Sequence, residues 1–158
     1  MRYAICVSNP ETDPLALDRQ VCFALAVANR GVLAVYRPLL EPMGLTHPQY
    51  LVMLALWEQS PRTVKSIGQA LQLDSTTLSP LLKRLQAAEL ITRERSRDDE
   101  RQLAVTLTEK GRALRAEAEK IPPAVVGRLG VSEAALEDLH RALTHINQAA
   151  LKAGALPR

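Results

Sequence analysis

Apolar side chains recur every three or four positions over most of the chain, which predicts amphipathic helices. The most informative stretch is 73–90, where leucines at helical spacing form one apolar stripe: Leu78, Leu81, Leu82 and Leu85. Asp74 and Ser75 precede this stripe and are residue types that cap a helix start. The opposite face carries short hydroxyls near its start and two cations further along: Ser75, Thr76, Thr77, Ser79, Lys83 and Arg84.

The composition of this polar face is suited to a nucleic acid. Hydroxyls and backbone N–H groups at a helix start suit phosphates and base edges, and the cations suit phosphates. A face that only keeps a helix in solution is usually rich in Glu and Lys. We therefore predict that Asp74 and the polar residues that follow it contact DNA, with an ordinary solvated face as the alternative.

Helical periodicity predicts three helices before this stretch. The first covers 15–40 from a start at Asp13-Pro14, the second runs from a Thr46 cap to Ser60-Pro61, and the third covers 64–71. The second helix is expected to turn five apolar residues inward: Tyr50, Leu51, Leu54, Leu56 and Trp57. Because residues 72–74 join two short helices by a tight turn, the pattern is that of a helix-turn-helix.

A change of period from helical to alternating follows the helix-turn-helix. Residues 91–95 and 103–107 read as two strands, the second with one buried face. The charged tip between them completes a winged helix, and Arg97 or Arg101 is expected to enter a minor groove. Asp99 is expected to hold Arg101 in a fixed pose by a bidentate pair. A hairpin tip that is merely solvated is the alternative.

The remainder of the chain is predicted to be helical. A long helix should begin at Thr108 and be interrupted at Pro122-Pro123, and a last helix should run from a Ser132 cap to about Ala153. The first and last helices have wide apolar faces, which are expected to pack together and against a second copy. Such a two-fold dimer would place two DNA-facing helices about 34 Å apart, matching an inverted repeat.

Composition adds little beyond a class of protein. The chain has 158 residues, 47% hydrophobic, with a net charge of +3, which predicts one globular domain that tolerates an anionic partner. The sequence has no run of 18 apolar residues, so neither a membrane span nor a signal peptide is expected, and the default location is the cytoplasm. The two cysteines, Cys6 and Cys22, are expected to be thiols. No metal or other cofactor is expected.

The resulting organisation has four parts. Residues 1–13 are expected to form a flexible extension and 14–45 a helix for dimerisation and sensing. Residues 46–108 should form the winged helix-turn-helix, and 109–158 the helices that complete the dimer.

Several segments together resemble the MarR family of winged-helix regulators and, more narrowly, its organic-hydroperoxide-resistance group. They are LDRQVCFAL at 17–25, YRPLLEPMGL at 36–45, THPQYLVMLALW at 46–57, LDSTTLSPLLKRL at 73–85, and 91–108 with its DDER. The resemblance covers roughly residues 15–150. It implies a mainly α fold with a small β-hairpin wing and an intertwined helical dimer interface, in which Asp99 sets Arg101 against DNA.

The resemblance also implies a redox sensor at Cys22. A hydroperoxide would oxidise its thiolate to sulfenic acid, which goes on to a disulfide or a higher oxide and releases the operator. Tyr36 and His47 would surround the thiolate. The family usually keeps tyrosines where this chain has His47 and Ala26, which affects the expected sensitivity. Cys6 is the internal candidate for a disulfide partner, and repression is the family's habit.

Four other interpretations remain open. In the first, Cys22 is a small buried hydrophobic residue, as a lone cysteine usually is. A ligand-released regulator would bind a small aromatic or other acid between the dimer helices and the winged region, near Arg30, Arg37 and His47. A thiol peroxidase would use Cys22 in turnover, although no paired catalytic constellation accompanies it. A helical interaction module would not bind DNA at all. We therefore expect a regulator and not an enzyme.

Overall fold

The computed structural model describes residues 13–95 and 103–157. Cys6 and the predicted wing-tip residues Arg97, Asp99 and Arg101 lie outside these ranges. The chain divides into two compact units, Met1–Ala34 and Val35–Arg158, which are described separately. The four-part division predicted from the sequence remains a prediction.

The first described residues form turns, which corrects the predicted helix start at Asp13-Pro14. The Leu15 backbone N–H donates to Asp13 Oδ1 at 2.9 Å, and the Gln20 side chain donates to the Pro14 carbonyl at 2.7 Å. A 3₁₀ helix at Leu17–Arg19 follows, and helix α1 begins later, at Val21–Leu40. Asp13 therefore caps a turn and not the helix, because its carboxylate closes locally on the chain two residues on.

Helix α1 is unusually apolar for one so exposed. By length and composition alone, Val21–Met43 could cross a membrane, although it contains no unbroken run of 18 apolar residues. The buried helix of a folded protein passes the same test, and Arg30 and Arg37 lie within this one. All the residues from 21 to 30 are exposed in the isolated chain.

The second unit begins within α1, at Val35. A 3₁₀ turn at Glu41–Met43 ends at Gly44, whose φ of +66° is in the left-handed region that glycine tolerates. Helix α2 is His47–Glu58, and the Thr46 backbone N–H donates to Gln49 Oε1 at 2.8 Å. This reciprocal cap confirms the predicted start.

The buried face of α2 differs from the predicted one. Tyr50 and Leu56 are buried as expected, but Leu54 is 41% exposed, whereas Val52 and Met53 are fully buried. Because this helix is apolar nearly all round, periodicity alone could not decide which residues lie inside.

A three-stranded antiparallel sheet forms the wing base, with one strand more than the predicted hairpin. Strand β1, Arg62–Thr63, has only two residues and pairs with β3, which gives the order β1-β3-β2. The hairpin strands lie where predicted, β2 at Ile91–Arg95 and β3 at Leu103–Leu107, and Ile91 pairs with Leu107. The helix-turn-helix lies between β1 and β2 and consists of α3, Val64–Leu71, and α4, Ser75–Ala87.

The chain after the wing is helical, as predicted, but its breaks lie elsewhere. Helices α5, α6, α7 and α8 cover Glu109–Ala113, Arg115–Ala118, Ile121–Leu129 and Glu133–Lys152. Pro122 and Pro123 lie in the first turn of α7, so they begin a helix and do not interrupt one, since a first-turn proline lacks only an N–H that would be unpaired. The Ser132 hydroxyl accepts from the Ala135 N–H at 3.2 Å, confirming the last cap.

One apolar core joins the winged region to the helices around it. The predicted leucine stripe of α4 is fully inside, and its neighbours in the core come from α2, α3 and both long strands: Met53, Leu56, Ile67, Ile91 and Val105. The orientation of α4 is therefore fixed by packing on its apolar side.

We predict that two leucines of α2 differ sharply in their contribution to stability. Leu56→Ala should lower the free energy of unfolding by about 2–5 kcal/mol, because it leaves a cavity at a fully buried site. Leu54→Ala, the matched control on the same helix, should cost less than about 1 kcal/mol. Urea unfolding at one protein concentration measures both, and equal losses would contradict the assigned core.

Candidate DNA interface and thiol site

The start of α4 is organised by Asp74. Its Oδ1 accepts from the Thr77 backbone N–H and from the Thr76 hydroxyl, each at 2.7 Å. These bonds, the one from Thr76 foremost, hold the pKa of the Asp74 carboxyl below its ordinary value. The sequence had offered Asp74 as a DNA contact, and the structure gives it the role of the helix cap that orients neighbouring hydroxyls.

The polar residues predicted to meet DNA lie together on the side of α4 away from the core. They are exposed except for Ser79, which is half-buried: Ser75, Thr76, Thr77, Ser79, Lys83 and Arg84. The helix therefore presents hydroxyls and backbone N–H groups at its start and positive charge along its body, and both are suited to an anionic polymer.

The turn before α4 is tight because of a glycine that lies inside α3. A Cβ on Gly68 would lie 2.9 Å from the Leu73 carbonyl oxygen, and the Leu73 N–H donates back to the Gly68 carbonyl at 2.9 Å. Gln72, in the turn itself, takes the left-handed conformation with φ of 54°. A glycine within the first helix, instead of in the turn, thus allows the close approach of the two helices.

Helix α4 is also tied to the wing by residues that sequence reasoning missed. Arg93 Nε, on β2, donates to Gln86 Oε1 at 2.6 Å, which links the strand to the exposed side of α4. At the base of the wing, the Thr108 hydroxyl donates to the Glu89 carbonyl at 2.7 Å and Lys110 Nζ to the Ala88 carbonyl at 2.8 Å. No sequence signal marks these pairs, because each joins residues of different structural elements.

Cys22 is the second residue of α1 and is exposed and free. The first turn of a helix carries the positive end of the backbone dipole, which favours an anion such as a thiolate. A structural, core-filling role for Cys22 finds no support in the isolated chain, because the side chain is not buried there.

Tyr36 and His47 belong to the second unit and do meet. Their ring centroids are 5.0 Å apart in an edge-to-face arrangement, and Tyr50 lies 6.1 Å from Tyr36. Burial lowers the pKa of His47 and raises the pKa of Tyr36. His47 is thus favoured as a neutral imidazole and Tyr36 as a neutral phenol that can donate a hydrogen bond.

Comparison with known proteins gives the pattern its family. A family described as transcriptional regulator SarA/Rot matches residues 34–118. The organic hydroperoxide resistance transcriptional regulator of Bacillus subtilis is 45% identical over 127 residues, covering 80% of this chain and 84% of that protein. The structure of reduced AbfR bound to DNA is 37% identical with a TM-score of 0.67, covering 87% of this chain and 98% of that one. Overoxidized AbfR bound to DNA is 38% identical with a TM-score of 0.65, covering 82% and 95%.

The chain belongs to the MarR family. Within this family of winged-helix transcriptional regulators it falls in the organic-hydroperoxide-resistance group, as its sequence had indicated. Family membership confirms the predicted fold class, with β1 added to the wing. The structure brings the predicted DNA-facing residues of α4 to one surface and brings Tyr36 to His47. Cys22 lies in the other unit, and the individual roles of all these residues stay predictions.

We predict a pH signature for the Asp74 cap. Its pKa is lower in the folded chain than the ordinary value of 3.8, so the stability it contributes is complete above about pH 4 and disappears as the pH falls through the folded-state pKa. Wild type should therefore unfold at a higher temperature than Asp74→Ala at pH 7, and the difference between the two should narrow as the pH falls below the ordinary value.

Asp74→Asn is the matched control for this measurement, because a neutral amide can cap a helix without titrating. Asp74→Asn should unfold at a higher temperature than Asp74→Ala, by the same difference at every pH tested. If the difference in unfolding temperature between wild type and Asp74→Ala does not change with pH, the ionised carboxylate is not what caps the helix.

Proposed function

We propose that this MarR-family protein is a cytoplasmic homodimeric repressor that binds an inverted repeat and is released when an organic hydroperoxide oxidises Cys22. The observation that carries the proposal is the exposed hydroxyl and cation surface of α4 in a chain that is 45% identical to an organic hydroperoxide resistance regulator. Cys22 is a free cysteine in the first turn of α1 and supplies the thiol for this reaction.

Uncovered apolar surface supports a second copy as partner. None of the 20 residues of α8 is buried in the single chain, not even its large apolar side chains. Leu139 is 49% exposed and Ile146 is 47% exposed. In the first unit, Val21 is 66% and Leu17 61% exposed. Helices with apolar faces need another surface to cover them, and closed two-fold dimers are the commonest way in which a single chain provides one.

The recognition helix, α4, would enter the major groove from its start. Asp74 orients the Thr76 and Thr77 hydroxyls there, so bases and phosphates would meet a preset arrangement. Lys83 and Arg84 would neutralise phosphates along the groove. The wing residues Arg97, Asp99 and Arg101 lie outside the described ranges. Arg97 or Arg101 keeps the minor-groove role that the sequence predicts, and Asp99 that of holding Arg101 in a fixed pose.

Sensing would begin with attack of the Cys22 thiolate on the peroxide bond. The O–O bond breaks, the sulfur retains one oxygen as sulfenic acid, and the other leaves as an alcohol after taking a proton from water. A small thiol then condenses with the sulfenic acid to a disulfide and water. The sulfur loses its negative charge, so hydrogen bonds donated to a thiolate are lost.

Tyr36 and His47 are the proposed donors to this thiolate. The direction of the pKa shift at His47 favours the neutral ring, which donates one hydrogen bond and adds no positive charge. Sensitivity would then rest on hydrogen bonding and the helix dipole, and not on a protonated histidine beside the sulfur.

The decisive experiment replaces Cys22 by Ser and titrates a duplex that the reduced wild-type protein selects from a random-sequence library. One equivalent of cumene hydroperoxide should weaken binding by wild type at least tenfold and leave Cys22→Ser unchanged, because serine cannot form a sulfenic acid. Release of Cys22→Ser by the peroxide would disprove the thiol sensor. Release by a small acid without oxidant would favour the ligand-released regulator, and steady peroxide turnover with a reductant would favour an enzyme.

Phosphate contacts and base contacts on α4 should be separable by salt. Lys83→Gln should weaken binding to all duplexes and reduce the slope of log K against log salt by about 1 per lost contact, or about 2 per dimer. Ser75→Ala should instead change which half-site is preferred. Lys120→Gln, the same charge change on the chain leading into α7, is the control and should leave the slope as it is. If Lys83→Gln leaves the slope of log K against log salt unchanged, Lys83 does not contact a phosphate.

A further inference from the structure

A continuous series of aromatic contacts runs from the Tyr36–His47 pair along α2. The Tyr36 and Tyr50 ring centroids are 6.1 Å apart, and those of Tyr50 and Trp57 are 6.3 Å apart. Tyr50 is only 3% exposed and lies between Tyr36 and Trp57, so its ring links the two. These rings, Tyr36, His47, Tyr50 and Trp57, are called the aromatic column below.

The far end of the aromatic column is fixed by a long-range hydrogen bond. Trp57 Nε1 donates to the Gly111 carbonyl at 2.8 Å, across 54 positions of sequence. Gly111 has no room for a side chain, because a Cβ there would lie 2.0 Å from the Leu90 carbonyl oxygen. The indole therefore holds a stretch of backbone that is pressed directly against the backbone of residue 90.

Leu90 lies at the junction of the recognition helix and the wing. Its N–H donates to the Leu85 carbonyl of α4 at 3.0 Å, and its carbonyl accepts from the Thr108 N–H at 3.1 Å. Strand β2 starts at the next residue. A shift of Gly111 must therefore move the end of α4, the start of the wing, or both.

The indole also has a place to move to. A groove of about 380 Å³ lies beside it, lined by Leu54, Arg115, Glu119 and Pro122 among others. Trp57 thus has a hydrogen-bonded position and an adjacent open volume, which is what an element with two arrangements requires.

We propose that Trp57 is a positioning residue that couples the Tyr36–His47 ring pair to the junction of the recognition helix and the wing. Movement of the ring pair displaces Tyr50, then the indole, and the loss of the bond to Gly111 releases the Leu90 turn. This inference rests on the proposed function, since it supplies the route by which a change near the sensor alters the DNA-binding surface.

The test compares full-length wild type with Trp57→Phe, which keeps an aromatic ring and removes the donor to Gly111. The readout is the ratio of the operator Kd after cumene hydroperoxide to the Kd before it, on the library-selected duplex. Trp57→Phe should reduce this ratio about fivefold, within the range that one net hydrogen bond can shift an equilibrium. Because Trp57→Phe already lacks this bond, its reduced-state Kd should be about fivefold weaker than that of wild type, while its oxidised-state Kd should equal that of wild type. Mass spectrometry should show Cys22 oxidised at the same rate in both proteins.

A merely structural tryptophan would not change the ratio. Gln59→Ala, an exposed change just after α2, is the control and should keep the wild-type ratio. An unchanged ratio for Trp57→Phe would overturn the coupling while leaving the thiol sensor intact. If wild type itself shows no release, the proposed function has failed, and the two failures are thereby distinguished.

A measurement on wild type covers the case in which Trp57→Phe does not fold. Trp57 is the single tryptophan of the chain, so intrinsic fluorescence reports on this indole alone. Oxidation of Cys22 should change its emission maximum or lifetime in the absence of DNA. A spectrum and lifetime that oxidation leaves unchanged would overturn the coupling.

Discussion

The close approach of Gly111 to the Leu90 carbonyl is the constraint on which the winged region depends. It allows the first turn of α5 to lie on the turn that joins α4 to β2, where Thr108 and Lys110 then satisfy three consecutive carbonyls. These three bonds hold the turn after α4 against the start of α5 and so direct the wing away from the recognition helix. The base of the wing is thereby tied to the end of the recognition helix.

Local sequence patterns predicted much of the winged region. The bounds of α3, the leucine stripe of α4 and both hairpin strands follow from periodicity, because each element has one clearly apolar side. Periodicity gave the wrong result where an element has no clearly apolar side. Helix α2 is apolar nearly all round, so Leu54 was assigned inward, and β1 has too few residues to show a period.

The functional surface was predicted in composition but not in mechanism. A hydroxyl-rich helix start is visible in the sequence, whereas the orientation of those hydroxyls by Asp74 is a matter of geometry. Periodicity places Trp57 on the inward side of α2, whereas its hydrogen bond to Gly111 is visible only in the fold. Pairs across long stretches of sequence leave no local trace, and a two-residue strand or a single hydrogen bond is decided by tertiary packing.

The exposure of α1 has a consequence for how much active regulator a cell holds. An unpaired chain displays a segment apolar enough to pass for a membrane span, and such a surface invites chaperones and proteases until it is covered. Survival of the chain then depends on dimerisation, which by mass action depends on the concentration of the chain. Since a larger share of chains pairs at higher concentration, the abundance of the protein would rise more steeply than in direct proportion to its synthesis rate.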